Sequence, residues 1–370
     1  MLRTRIFGGR HLRLELQTFS SRNAFHSDSN DAFRRIRIYK RAFAFSLFGV
    51  TFASVFYLRN KKRSQIAPFF EHSKLLRGHN FGSLTLYEYD GYVIAEPVLK
   101  QLHQITSFEF RETDVVLCSF PKTGTTWLQE IVYLIATDLN YEQAKCKNIS
   151  DRFPYLEFPV PGINWLKLQK GDRFIKTHLP LHFLENAMKS NAKIVAILRN
   201  PKDVLVSFYY FARMNNIIDY KGDFNSFFDK FISDKVPYGP IWKHYSDFLL
   251  HHAREKAHSN RILIIYYEDL QTNFEREVDK ICQFFDKPKL SDDEMRNLKK
   301  HCSFESMSLN PSVNYEHWDA IGVRKKGETL FMRKGIVGDW KAHFSDEQNK
   351  IFNKWMEQNF VKSIFERYVD

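Results

Sequence analysis

The segment from residue 115 to 139 constrains the fold of this chain more than any other. VVLCS at 115–119 is a short apolar run of the kind that forms a buried strand. A turn follows at 121–124, bounded by Pro121 and Gly124. From Thr125 onward, apolar residues recur at 128, 131, 132, 135 and 139, the spacing of one helix face. The alternation repeats downstream. KIVAIL at 193–198 reads as a second strand, and Asn200 as a helix cap with Pro201 in the first turn of a helix to about residue 214. RILIIYY at 261–267 reads as a third strand, and apolar positions 274, 278, 281 and 285 predict a helix over 274–285. Strand–helix repetition from about residue 84 to 370 predicts an α/β fold, a single domain with a central parallel sheet covered by helices on both faces.

Four motifs carry chemistry. FPKTGTTW at 120–127 lies between a strand and a helix, where an anion meets successive N–H groups and a helix N-terminus. Gly124 lets the backbone approach the anion, Lys122 adds a mobile charge, and Thr123, Thr125 and Thr126 offer hydroxyls. A plain strand-to-helix turn would need the glycine but not the lysine and three threonines. The loop is P-loop-like, but the GxxxxGK[ST] spacing of nucleotide triphosphatases is absent. KTHLP at 176–180 places Lys176 two residues before His178, so that on a strand both face one side. A lone histidine is more often structural; one beside an anion loop, with an ordinary pKa near about 6.5, suits a general base. RNPKDVLVS at 199–207 offers Arg199 to fork onto a phosphate and Ser207 to add a hydroxyl, at the carboxyl end of a strand where α/β sheets bind ligands. RKG at 333–335, with GDW at 338–340, sets two cations beside a glycine; alone it is a weak signal.

The order FPKTGTTW, KTHLP, RNPKDVLVS, YEDL (267–270) and RKGIVGDWK (333–341) resembles the cytosolic sulfotransferase family over roughly residues 84–360. The resemblance implies sulfuryl transfer from 3′-phosphoadenosine 5′-phosphosulfate (PAPS) to a hydroxyl or amine of a small acceptor, without a metal. It implies that Lys122, Thr123, Gly124, Thr125, Thr126 and Trp127 bind the 5′-phosphosulfate and adenine. It gives the 3′-phosphate to Arg199, Ser207, Arg333, Lys334 and Gly335, and the adenosine walls to Tyr267 and Phe304. His178 becomes the base, with Lys122 and Lys176 stabilising charge in a loose in-line displacement. Tyr155, Phe158 and Phe211 fall where the family places acceptor-pocket aromatics, with Lys176 and His178 beside them, and favour a phenolic or steroid-like acceptor. Two departures stand out. Cys302 replaces a usual threonine beside the nucleotide, and the dimer motif reads Lys341, Ser345, Asp346 and Lys350, with the last charge reversed. A magnesium-dependent kinase and a catalytically silent, membrane-tethered nucleotide-binding protein are the rival classes. The lysine spacing opposes the first, and the retention of Lys122, Lys176 and His178 opposes the second.

Charge separates the chain into two parts. Of a net +12, residues 1–41 carry +7 and RNKKR at 59–63 carries +4, leaving the remainder near neutral. Basicity confined to the N-terminal segment does not make a nucleic-acid surface. Residues 1–41 read as a basic targeting or disordered segment, and the first 25, rich in Arg and Ser with Glu15 as the one acid, have the composition of a mitochondrial transit peptide. Residues 42–58 are uncharged and read as a transmembrane helix, or else as a buried one. Residues 59–83 read as a basic linker. The expected location is membrane-anchored and mitochondrial, with the cytoplasm as the alternative. Cys118, Cys146, Cys282 and Cys302 form no CxxC pair, which fits a reducing compartment.

Overall fold

The sheet at the centre of the fold is built from the predicted strands and one more. In the computed structural model, which describes residues 68–78, 81–256 and 261–369, these are β4 (Val115–Cys118), β5 (Phe174–Thr177), β6 (Lys193–Leu198) and β7 (Ile262–Tyr266). All run parallel in the order β5-β4-β6-β7. Before β4 in the chain lie β1 (Lys74–Leu76), β2 (Leu86–Tyr89) and β3 (Tyr92–Ala95), a separate antiparallel sheet in chain order. The folded unit therefore takes in residues that the sequence leaves to a linker ending at 83. Lys74 pairs with Glu88, and Phe81 is fully buried against Tyr220.

Alternation along each strand sends side chains to opposite faces. Val116, Cys118, Ile194, Ala196 and Leu198 join a core with helix α2 (Pro201–Met214) and helix α3 (Ile241–Lys256). Val115, Leu117, Val195 and Ile197 join a second core with helix α1 (Thr125–Ala136) and helix α5 (Phe274–Phe284). Both faces are covered, which is why the strands read as continuous apolar runs. Between β7 and α5, helix α4 (Tyr267–Thr272) begins where a strand to residue 267 was expected.

Local chemistry sets the helix starts. The Asn200 side chain accepts from Lys202 N–H with Pro201 in the first turn, as predicted. Gly124 precedes α1 with φ of +106°, and a β-carbon there would come within 2.6 Å of the Tyr267 ring. Only glycine fits that close approach.

The topology places the site. The chain steps from β4 to one neighbour, β5, and then crosses back to β6 on the other side. The carboxyl end of β4 is thus the switch point of the sheet, where a crevice opens between oppositely wound crossovers. The candidate membrane segment 42–58 lies outside the described residues; among those described, no helix is long and apolar enough to cross a membrane.

Candidate active site

Every strand of the parallel sheet delivers a candidate residue at its carboxyl end. Cys118 pairs with Thr177, so Ser119 and His178 emerge side by side. Leu198 pairs with Tyr266, so Arg199 and Tyr267 do the same on the other half of the sheet.

His178 is buried. Its Nδ1 lies 2.6 Å from the Ser119 carbonyl oxygen and 3.3 Å from the Ser119 hydroxyl. A carbonyl only accepts, so Nδ1 carries the proton and Nε2 keeps its lone pair. Burial, helped by the nearby Lys176 charge, holds the imidazole pKa well below its ordinary value, so the ring is neutral. The rings of Tyr155 and Tyr238 meet it edge-on at 5.2 and 5.6 Å. Phe158 packs on Tyr155 at 4.2 Å and is itself partly exposed.

Lys176 is buried beside it, with Nζ 4.6 Å above the Tyr155 ring. Burial lowers its pKa to about 8, opposed by the charge of Glu157. Lys122 sits in the turn with φ of +70°, its Nζ between the rings of Phe211 (4.5 Å) and Phe331 (4.3 Å). Burial first, and then Arg199, Lys176 and Arg333, bring its pKa down to about 7.

Arg199 stacks on Tyr267, its guanidinium carbon 4.2 Å from the ring centre. It donates to the carbonyls of Lys122 (3.3 Å) and Ile336 (2.9 Å), while its buried Nε has no partner among the described residues. The Tyr245 hydroxyl holds its main chain, accepting from Arg199 N–H at 3.0 Å and donating to its carbonyl at 2.8 Å. Ser207 lies half-buried on α2, two helical turns along.

The RKG segment is held against the same end of the sheet. Asp203 of α2 accepts from Gly338 N–H at 2.8 Å and Trp340 N–H at 3.0 Å. Arg333 and Lys334 both bond to Asp339, and Arg333 lies 4.6 Å over Tyr210. Gly335, with φ of +66°, faces Phe304 so closely that a β-carbon would come within 2.2 Å of its ring. Trp127 meets Tyr267 edge-on at 5.4 Å.

Two of the expected groups make contacts within the protein. The sequence assigns three threonine hydroxyls to the anion, but each has a protein partner. Thr123 Oγ1 donates to the Phe120 carbonyl at 2.9 Å, Thr125 Oγ1 lies 2.8 Å from Ser119 Oγ, and Thr126 bonds the Tyr315 hydroxyl. Backbone N–H groups of the turn and first helical turn, with Lys122, are further donors for an anion beside these hydroxyls. Phe211, expected in the acceptor wall with Tyr155, packs on Lys122, Phe331 and Trp318.

Glu157, Tyr238, Phe331, Asp203 and Asp339 have no role in the sequence reading. Asp203 and Asp339 sit inside quoted motifs, and that position is the one available signal.

The arrangement is a buried cluster in which cations outnumber the carboxylates that act on them, Glu157 on Lys176 and Glu268 on Arg199. Among the described residues no carboxylate lies within ion-pair distance of Lys122, Lys176 or Arg199, and the Glu157 charge acts on Lys176 without a direct bond. Buried cations in excess of their counter-ions are costly, and the site is built to receive a ligand carrying several negative charges.

The family model described as the sulfotransferase domain matches residues 112–363. The chain belongs to the sulfotransferase family. Human sulfotransferase 1E1 (Homo sapiens) is 37% identical over 282 residues, 75% of this chain and 93% of its own length. Dog sulfotransferase 1B1 (Canis lupus familiaris) is 36% identical over 269 residues, 71% of this chain and 88% of its own. A retinol dehydratase solved with androsterone and the inactive cofactor PAP matches with a TM-score of 0.70 at 28% identity, over 80% of this chain and 94% of that one. A second structure of a retinol dehydratase holds retinol and PAP. The sulfotransferase match begins near β4 and ends in the last helices, so it includes every motif residue named above.

Proposed function

We propose that this sulfotransferase transfers a sulfuryl group from PAPS to the hydroxyl, or amine, of a small aromatic or steroid-like acceptor, with His178 as the base. One observation carries the reading. A neutral histidine, its Nδ1 proton fixed on the Ser119 carbonyl, stands beside buried Lys176 at the mouth of an anion-binding turn.

The site residues fit PAPS. The orphaned Nε of Arg199, the buried charges of Lys122, Lys176 and Arg199, and the glycine approaches at Gly124 and Gly335 all suit a nucleotide with several charges. Lys122 and the N–H groups of residues 123–127 would hold its 5′ side. Arg199, Ser207, Arg333, Lys334 and Gly335 would hold the 3′-phosphate, and Trp127, Tyr267 and Phe304 would wall the adenosine. When bound, PAPS supplies an activated sulfuryl group on a good leaving phosphate. His178 Nε2 accepts the acceptor proton, Lys176 and Lys122 stabilise negative charge, and the aromatic faces of Tyr155 and Phe158 exclude water. Two lysines would supply the charge neutralisation, so this reading calls for no metal.

Tyr155, Phe158 and Tyr238 around His178 support a flat, apolar acceptor, as does androsterone in the related structure. The uncharged run 42–58 supports attachment to a membrane, and the Arg- and Ser-rich residues 1–25 support a mitochondrial location over a cytoplasmic one. The test is transfer of label from PAPS by the full chain to separate pools of phenols, sterols, amines and glycans. Labelled phenols or sterols are expected. Label only on glycans would overturn the acceptor class, and PAPS binding without transfer to any pool would overturn the enzyme.

A further inference from the structure

We propose that Glu157 is a positioning residue for sulfuryl transfer: its buried carboxylate fixes the His178 main chain and supplies the counter-charge that keeps Lys176 cationic. The proposal rests on the roles given above to His178 and Lys176.

The geometry begins with a short segment annealed to the edge of the sheet. Lys176 N–H donates to the Pro154 carbonyl at 3.0 Å, and Leu156 N–H donates to the Lys176 carbonyl at 2.8 Å. This pairing sets Tyr155 and Glu157 on either side of the Lys176–His178 stretch. Tyr155 slides beneath the Lys176 ammonium, and Glu157 turns inward to complete burial. Its Oε1 accepts from His178 N–H at 2.6 Å. Its own carbonyl is held by Gln101 Nε2 at 2.9 Å. The Thr177 and Tyr238 hydroxyls face the same carboxyl group, and Tyr238 also edges the His178 ring.

A neutral acceptor could satisfy a single backbone N–H, so the hydrogen bond alone does not call for a buried acid. The charge has a second target. The groups that face Lys176 are Tyr155, Glu157 and His178, with Lys122 across the turn. Glu157 is the one anion among them, and it opposes the effect of burial on the ammonium. Burial raises the Glu157 pKa to about 7, while the His178 N–H bond and Lys176 work to keep it ionised. The two groups therefore support each other's charged form. With Glu157 ionised, Lys176 stays protonated to about pH 8; without that charge it loses its proton at lower pH.

The experiment is the pH profile of kcat for Glu157→Gln in the full chain, with saturating PAPS and a phenol acceptor. The glutamine keeps the shape and can still accept from His178 N–H. The expected result is unchanged PAP affinity, an alkaline limb moved about one unit toward acid, and therefore kcat lowered about threefold at pH 7.5 and toward about tenfold above pH 8. Combining it with Lys176→Arg, a cation that does not titrate in this range, should remove that limb, since the anionic groups of saturating PAPS hold Lys122 protonated. An alkaline limb at the wild-type pH in Glu157→Gln would overturn the proposal, as would a uniform loss at every pH with weakened PAP binding. If Glu157→Gln does not fold, Lys176→Arg alone decides: a limb that persists there overturns the assignment to Lys176. Wild-type turnover in His178→Ala would sink the base instead, and the limb shift would still be scored.

Discussion

Lys122 concentrates the electrostatics of the site in one side chain. It is buried between two aromatic rings and repelled by Arg199, Lys176 and Arg333, so its pKa falls to about 7. The ammonium is present below that pH and lost above it. PAP affinity should therefore decline as pH rises from about 7 to 8, and Lys122→Met should bind weakly with a flatter pH dependence; calorimetric titration across that range checks both. Arg199 makes a different prediction. Its unpartnered Nε and its contact with the 333–336 segment suit a forked bond to the 3′-phosphate. Arg199→Ala should weaken PAP binding far more than binding of the analogue without that phosphate, and equal losses would remove the residue from this role. Lys122, His178 and Arg199 were legible in the sequence because a charged or titratable residue at a strand end, next to a turn, is hard to explain as packing. Glu157, Tyr238 and Phe331 were not, because an isolated acid or aromatic has no pattern until the fold brings it to a neighbour.

At the scale of elements, α2 does the joining. Its first turn carries Asp203, which ties down Gly338 and Trp340, while Asp339 in that tied loop gathers Arg333 and Lys334. Asp203→Ala would leave two N–H groups without their acceptor, each worth about 1–3 kcal/mol if it stays buried. The variant should melt at lower temperature and bind PAP at least about tenfold more weakly, as thermal denaturation and titration would show. A variant with lower stability but normal PAP affinity would mean that the loop does not serve the ligand. The strands β4 and β6 could be read from sequence because burial on both faces makes them uniformly apolar. The strands β1 to β3 could not: KLL, LYEY and YVIA are only three or four residues long, too short for a period to show, and KLL is largely exposed. The internal bonds of the threonine hydroxyls were hidden for a related reason, since spacing gives residue types but not which bonds a tight turn uses internally.

Over the whole molecule, the charge divides between a basic N-terminal segment and a near-neutral catalytic unit whose positive potential is gathered at one end of a parallel sheet. The N-terminal segment predicts that the full chain resists carbonate extraction from membranes, and its release would end the anchor reading. The catalytic unit is assembled from four strand ends far apart in sequence, and its purpose is tested at one residue. Single-turnover transfer by His178→Ala, measured with excess enzyme over labelled PAPS and a phenol acceptor, should be about 100-fold slower or more, with PAP affinity nearly unchanged. Turnover near that of the wild type would contradict the claim that the neutral His178, held on the Ser119 carbonyl, takes the acceptor's proton.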